Sequence, residues 1–367
     1  MVKKLNKTLA LLNEHNQFFL RVVLALSFVF LSACSSRNTP EGIFDNYHYR
    51  LHNSLDIQSP KITVDKAASD AISKLPRYPQ RKALLYTLNE SSINLLDFLR
   101  LSQCDLQRHI GERNSSLGKL QKDSQRLIYD IEFIRLAKLC IDELPADNPL
   151  RNLLEKATQN KQEQLSLLLW NATFASEEFS YLFSLSTDYL SAKKPAPKPI
   201  ALYEAIESIA RMIDENENLS GIKQSDLEAA LALFASSKHM GEVRRSMALV
   251  TESLSLADEL LRQRLNQRPL CRNDTPNAQF DIVNNVFRKF YIGEVQPYIA
   301  AVYQQAQTSI EALDNLAKLQ TVPVAYDDFW SSVYSDKNSE WQQLTRAIKL
   351  HTENWQALLT QCGSMPS

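Results

Sequence analysis

Seven glycines in 367 residues, about 2 % where ~7 % is usual, limit what this chain can fold into more than any other feature. Tight β-hairpin turns and phosphate-cradling loops need the positive φ that glycine supplies. Their scarcity argues against a β-sandwich and against a nucleotide-binding α/β fold. Long glycine-free runs rich in Leu, Ala, Gln and Glu read instead as helices. The expected fold is all-α: an antiparallel helical bundle.

The first 34 residues form a separate unit. Lys3, Lys4, Lys7 and Arg21 precede a twelve-residue apolar run, Val22 to Ala33. That run has the length of a secretory h-region and falls short of the ~20 residues a spanning helix needs. It closes on Leu31-Ser32-Ala33-Cys34, with Ser35-Ser36 directly after, and this resembles a bacterial lipobox. A plain secretory signal, leaving Cys34 as an ordinary thiol, is the rival reading and does not explain a leucine at −3, a small pair, then cysteine. The resemblance implies that residues 1–33 are removed and that Cys34 becomes the lipid-bearing first residue. One acyl chain holds a protein to a membrane only marginally, whereas two anchoring signals hold it stably. The three chains usual in such lipoproteins make the membrane a permanent partner. Among Gram-negative lipoproteins, Ser35 rather than Asp after the cysteine implies the outer membrane, with the protein facing the periplasm.

Without residues 1–33 the chain keeps 37 Lys+Arg against 41 Asp+Glu. This mild acidity, with no basic cluster, argues against nucleic acid as a partner, because phosphate binding needs massed lysine and arginine. Residues 34–79 read as a lipidated tether and a short lead-in helix, Ile43 to Leu55. His48 and His52 lie one helical turn apart there, but Tyr49 stands where a zinc protease needs glutamate, so a solvated helix face is expected and no metal. Residues 80–190 form a first helical half, with helices expected over Gln80–Ile110, over Asp123–Leu144, and from the Asn148-Pro149 cap to Tyr189. Trp170, Phe174 and Tyr181 fall on one face of the last of these.

Residues 191–199, Ser-Ala-Lys-Lys-Pro-Ala-Pro-Lys-Pro, make a proline-rich linker. Residues 200–367 form the second half. Ser225-Asp226-Leu227-Glu228 has capping-box spacing. The stripe Leu227, Leu231, Phe234 lies opposite the stripe Val243 to Leu265, so a break is expected near Ser236–Gly241. A helix opening at Thr275-Pro276 should be interrupted by Gly293 and Pro297. At the end, Trp330, Tyr334, Trp341, Leu344, Ile348, Trp355, Leu359 and Cys362 share one line of a helical wheel. Exposed tryptophans could stack on cell-wall sugars, but the aliphatic members of the stripe favour core packing.

Recognisable catalytic motifs are missing. The chain holds no Gly-x-Ser-x-Gly elbow, P-loop or dinucleotide fingerprint, and its Ser-x-x-Lys occurrences fall in expected loops. The tandem acids Glu177-Glu178 and Asp327-Asp328 point about 100° apart on a helix and suit solvated or N-terminal positions better than catalysis. No cofactor is implied. The leaning is toward a non-enzyme, with a ligand-binding or hydrolytic site assembled from distant residues as the alternative.

With Cys34 lipidated, four cysteines remain, an even number in an oxidising compartment. Three pairings are possible. Cys104 and Cys140 are equidistant from residue 122, as partners across a hairpin should be, which leaves Cys271 with Cys362.

The stretch Cys104 to Arg135 is denser in polar groups than a helix surface requires. It reads Cys104-Asp105-Leu106-Gln107-Arg108, then Glu112-Arg113-Asn114-Ser115-Ser116-Leu117-Gly118, then Ser124-Gln125-Arg126-Leu127. With the lipobox, it resembles a family of uncharacterised Gram-negative envelope lipoproteins, a domain of unknown function. The resemblance implies no activity, cofactor or catalytic residue. Glu112, Arg113 and Asn114 in an expected turn bracketed by Gly111 and Gly118, with Arg126 nearby, are the candidate contact surface for an envelope protein or cell-wall polymer. A turn whose polar groups only cap helix ends and pair locally is the competing account.

Overall fold

The structure, a computed structural model, describes residues 39–57, 63–89, 94–214 and 221–364. The expected leader and Cys34, the residue expected to carry lipid, lie outside the described residues. Thr39 caps the first helix, α1 (Pro40–Ser54), its side chain accepting from the Gly42 N–H at 3.1 Å. Next come α2 (Val64–Ser73), α3 (Arg81–Leu84), α4 (Leu95–Arg100), α5 (Asp105–Asn114), α6 (Asp123–Glu143), α7 (Pro149–Ala172) and α8 (Glu177–Leu182). Beyond the proline-rich segment are α9 (Ile200–Asp214), α10 (Gln224–Ser236), α11 (His239–Leu265), α12 (Ala278–Val286), α13 (Gln296–Lys318), α14 (Val324–Trp330) and α15 (Glu340–Thr360). The fold is all-α, and the described residues contain no strand.

Several elements depart from the expected boundaries, each for a local reason. The single helix expected over 80–110 is instead α3, α4 and α5. Trp170 Nε1 donates to the Leu84 carbonyl at 2.9 Å, and the Asn171 amide both donates to Tyr86 O and accepts from Tyr86 N, each at 2.9 Å. A side-chain amide offers the donor–acceptor pair of a peptide, so the backbone after α3 is held extended and helix cannot continue. The helix expected to reach Tyr189 stops at Ala172, because Thr173 leaves helical dihedrals and Ser176 caps a new start. Trp170 and Phe174 stack in the core at 4.5 Å, while Tyr181 turns outward.

The capping box at Ser225 does not form. Lys223 precedes α10 with no side-chain cap, Ser225 bonds Asp226, and Glu228 accepts from Ser124 Oγ at 2.9 Å. Asn277, not Thr275-Pro276, caps α12. Gly293 and Pro297 do not interrupt the helical path beyond it. The chain runs from α12 through a π-helical stretch, Phe287–Val295, in which Gln296 N–H reaches back five residues to Tyr291 O, and enters α13 still helical. The break between α10 and α11 is present, but Gly241 lies inside α11. There α11 crosses the Ser184 carbonyl so closely that a β-carbon would collide with it.

The larger apolar core draws on both sides of residues 191–199, uniting α1, α2, α9, α11 and α13 with the C-terminal end of α7. A smaller core lies wholly between Leu101 and Ala157, built on α5, α6 and the first half of α7. Each contains one disulfide: Cys104–Cys140 staples the smaller, Cys271–Cys362 the larger. These are the two pairs that hairpin symmetry favours. The C-terminal stripe packs as core, with Trp330, Leu344, Trp355, Leu359 and Cys362 buried.

Sequential neighbours α6 and α7 run antiparallel, but α11 and α15 run parallel. Arg244 grips Glu340 near their N-terminal ends, and Asp258 accepts from His351 Nδ1 at 2.6 Å further along both. His351 Nε2 accepts from Tyr47 OH at 2.9 Å, and Trp355 Nε1 donates to the same hydroxyl at 2.8 Å. Both histidines of α1 depart from the solvated face expected of them. His52 is half-buried, and His48 is buried with Nε2 donating to the Ser253 carbonyl at 2.7 Å.

Burial lowers the His48 pKa from 6.5 to about 4, although the Ser253 bond pulls it upward. The unfolded chain therefore takes up a proton that the folded chain refuses. Stability is fully present above about pH 6.5 and is lost between there and pH 4, by about 3 kcal/mol from this group. His48→Gln keeps an amide donor toward Ser253 and removes the titration. Thermal melts from pH 7 to 4.5 should show a shallower decline for that variant; an unchanged slope would assign the acid sensitivity elsewhere.

Candidate functional site

The chain brings three of the four candidate contact residues together. Arg113 and Asn114, in the last turn of α5, and Arg126, on α6, line a groove of about 300 Å³ that reaches across to α7 and to the extended segment at Leu88-Asn89. Glu112 does not line it. Because α5 continues through Asn114, Glu112 projects about 100° away from Arg113, where it pairs with Arg108 at 3.4 Å in solvent. The expected turn begins three residues later than Gly111 suggests.

That turn has a structural role of its own. Ser115 Oγ donates to Glu112 O at 2.6 Å and accepts from Gly118 N at 3.0 Å. Arg113 Nη1 donates to Gly118 O. Gly118 packs so tightly on the carbonyls of Glu112 and Arg113 that a β-carbon there would strike both. Arg113 is thus partly a fastening for the loop, while Asn114 and Arg126 have no such duty.

Sequence reasoning missed the rest of the lining. Lys161, on α7, forms a half-buried ion pair with Asp130 and lies 5.0 Å from the Phe133 ring and 5.5 Å from the Tyr129 ring. His109 stacks on Tyr129 at 4.2 Å and its Nε2 meets the Tyr129 carbonyl at 3.0 Å. Burial raises the Tyr129 phenol, with Asp130 adding to the effect. Asn89 N donates to Gln164 Oε1 and closes the far side. The only signal that could have found Lys161 is the α6–α7 hairpin, which sets it opposite Asp130.

Four cations, Arg113, Lys119, Arg126 and Lys161, line the groove with one carboxylate, Asp130, and Lys161 takes that carboxylate. Among the described residues, Lys119 and Arg126 form no ion pair. A guanidinium fork matches a carboxylate or phosphate by two parallel hydrogen bonds. The lining presents two cations without a carboxylate partner beside the Lys161–Asp130 pair.

A second cavity, about 560 Å³, lies between α2, α11 and the start of α15 and is lined by Asp70, Glu252, Asp336 and Glu340 with Lys74. Burial raises the Glu252 carboxyl against the pull of Lys74, and raises Glu340 against that of Arg244. Glu340 is nevertheless committed, since Arg244 Nε reaches its two oxygens at 3.2 and 2.9 Å. The tandem acids sit at helix starts, Glu177-Glu178 in the first turn of α8, where Glu178 pairs with Lys122 at 2.7 Å, and Asp327 in the first turn of α14. No group of three or more His, Cys, Asp or Glu fit to hold a metal occurs among the described residues.

Residues 44–366 match the family described as protein of unknown function (DUF3080), and the chain belongs to that family. No curated protein and no solved structure matches it.

The two classes of groove residue separate by stability. Arg113→Ala should cost about 1 kcal/mol, because it removes one of the two hydrogen bonds to the Gly118 carbonyl, the other being from Gln121 N–H at 3.4 Å. Asn114→Ala with Arg126→Ala should change stability by no more than about 0.5 kcal/mol each. Urea titration of the purified variants distinguishes them; equal losses would make the whole groove structural.

Proposed function

We propose that this DUF3080 member is a lipid-anchored envelope protein with a non-catalytic binding or scaffolding role, held by Cys34 in the outer membrane and facing the periplasm. Support for the address comes from the Leu31-Ser32-Ala33-Cys34 box and from two disulfides that use the four remaining cysteines, as suits an oxidising compartment. The observation that carries the binding role is the groove itself: Asn114, Lys119 and Arg126 converge on a concave surface, and the two cations have no carboxylate partner there. Its partner is an envelope protein or cell-wall polymer presenting carboxylate or phosphate. Anchoring confines both to one surface and raises their effective concentration.

A photo-crosslinker placed at Leu88, on the groove wall, tests this in cells. The wild type should yield a discrete adduct and the Asn114→Ala/Arg126→Ala variant should lose it at unchanged abundance. Cys34→Ser should release the protein from membranes and weaken the adduct. An adduct indifferent to the groove variant would refute the binding site; membrane retention of Cys34→Ser would refute the anchor.

The acid-lined cavity favours a second reading, a ligand-binding or hydrolytic protein whose site is assembled from distant residues. Burial shifts both Glu252 and Glu340 upward, but the Arg244 guanidinium clamps Glu340, which leaves Glu252 as the carboxylate suited to proton transfer. Hydrolysis of a cell-wall or lipid substrate by the pure protein, reduced about a hundredfold or more by Glu252→Gln, would replace the non-catalytic reading.

A further inference from the structure

We propose that the proline-rich segment 191–199 is the face this protein turns to its membrane, with Lys193, Lys194 and Lys198 meeting anionic lipid headgroups. The inference rests on lipidation at Cys34. Thr39 is the fifth residue after Cys34, so at full extension the lipid-bearing residue lies within ~18 Å of the α1 cap. The helix beyond is not a swinging lead-in. Phe44, Tyr47 and Leu51 are fully buried, and the first turns of α1 are fixed to the body of the protein. Whatever surrounds those turns is brought to the bilayer.

The proline-rich segment surrounds them. The Phe44 ring meets the Tyr298 ring at 6.0 Å, and Tyr298 OH donates to the Leu190 carbonyl at 3.3 Å, where the segment begins. Further along, Asn46 Nδ2 donates to Glu294 at 3.4 Å, and Lys194 Nζ donates to Gly293 O, the adjoining residue, at 2.7 Å. Segment and helix therefore run along the same π-helical stretch. A spacer between two halves has no reason to lie there, and the larger core already crosses it.

Its composition fits an interface. All three lysines are exposed, with Ile200 at 62 % and Ile292 at 39 % exposure beside them. Cations around apolar side chains are the make-up of a surface that supplements a lipid anchor on anionic membranes. The carboxylates near this stretch are Glu41, Asp45, Asp65, Asp188 and Glu294. Asp45 is turned to the start of α2, where the Val64 N–H bonds it, and Glu294 accepts from Asn46. Arg245 adds a further cation over the Tyr189 ring, at 4.9 Å. Residues 191–199 themselves hold three lysines and no carboxylate, and their prolines leave little backbone entropy to lose on contact.

Full-length lipidated protein inserted into preformed vesicles, with and without phosphatidylglycerol in phosphatidylcholine, tests the proposal by amine acylation and peptide mass spectrometry. Lys193 and Lys198 should be acylated several-fold more slowly on the anionic vesicles, while Lys349, 77 % exposed on α15, should be acylated at the same rate on both. The mass of the peptide beginning at residue 34 reads lipidation in the same digest. Acyl chains on Cys34 with equal rates at Lys193 and Lys198 on both vesicles would overturn the membrane face and leave the anchor standing. Uniform slowing of Lys349 with the others would also overturn it. A Cys34 peptide without acyl mass would overturn the face together with the anchor.

Discussion

The chain Asp258–His351–Tyr47–Trp355 is the contact on which the arrangement of the larger core depends. It ties three helices distant in sequence, α11, α15 and α1, through hydrogen bonds of 2.6 to 2.9 Å among groups that are all essentially buried. Apolar packing tolerates rotation and sliding of one helix on another; a buried polar chain does not, because a shift leaves donors and acceptors unsatisfied in a low-dielectric interior. Acid, imidazole and hydroxyl in line have the form of a catalytic relay. Yet neither the groove nor the acid-lined cavity is lined by any of the four. Within the larger core the arrangement sets the register of α1, α11 and α15. Arg244, Glu340 and the Pro76 carbonyl, bonded at 2.8 Å, do the same at the other end of the α11–α15 pair.

With α11 and α15 fixed in parallel, the chain between them has to travel out and back, and α12, the π-helical stretch and α13 make that return. Tyr298 meeting Ser246 at 3.3 Å and His239 meeting Ser309 at 3.1 Å show α13 running antiparallel to α11. The π-helical stretch packs on α1 and α15, with the Phe287 ring tilted against Trp355 and the Tyr291 ring edge-on to His351, each at 4.9 Å. The smaller core is built differently. It relies on the α6–α7 hairpin, the Cys104–Cys140 crosslink and the Lys161–Asp130 pair. A disulfide removes conformations from the unfolded chain, most usefully where the apolar core is small.

Local signals in the sequence are legible and long-range ones are not. Glycine scarcity announces helices, opposed stripes at Leu227 and Val243 announce the break between α10 and α11, and the spacing of Cys104 and Cys140 about residue 122 announces a hairpin. The extended stretch after α3 is hidden, because its cause is Trp170 and Asn171, about 85 residues downstream. A π turn has no periodicity of its own, so Gly293 and Pro297 read as an interruption where the helix in fact continues. His48 looks solvated because helical spacing says which residues share a face, not which face is buried. In the groove, Arg113, Asn114 and Arg126 are visible as local polar density; Lys161 and Gln164 arrive from across the hairpin and are not.

The position of α1 carries the remaining step. A lipoprotein on a long tether presents its surfaces in every orientation, and its reach is that of the linker. Here the Tyr47 bonds and the burial of Phe44 and Leu51 make the first helix part of the body, so on the anchored reading at most ~18 Å of chain separates Cys34 from the α1 cap. A globule of this length has a radius of gyration of ~20 Å, comparable to the tether. On the proposed anchoring, so short a connection would limit how far the body can turn against the bilayer and keep the groove close to it. On the proposed binding role, that limit would select partners by where their acidic groups lie relative to the membrane as well as by chemistry. Inserting a flexible segment between Cys34 and Thr39 would relax the first selection and leave the second intact, which separates the contribution of position from that of Arg126 and Asn114.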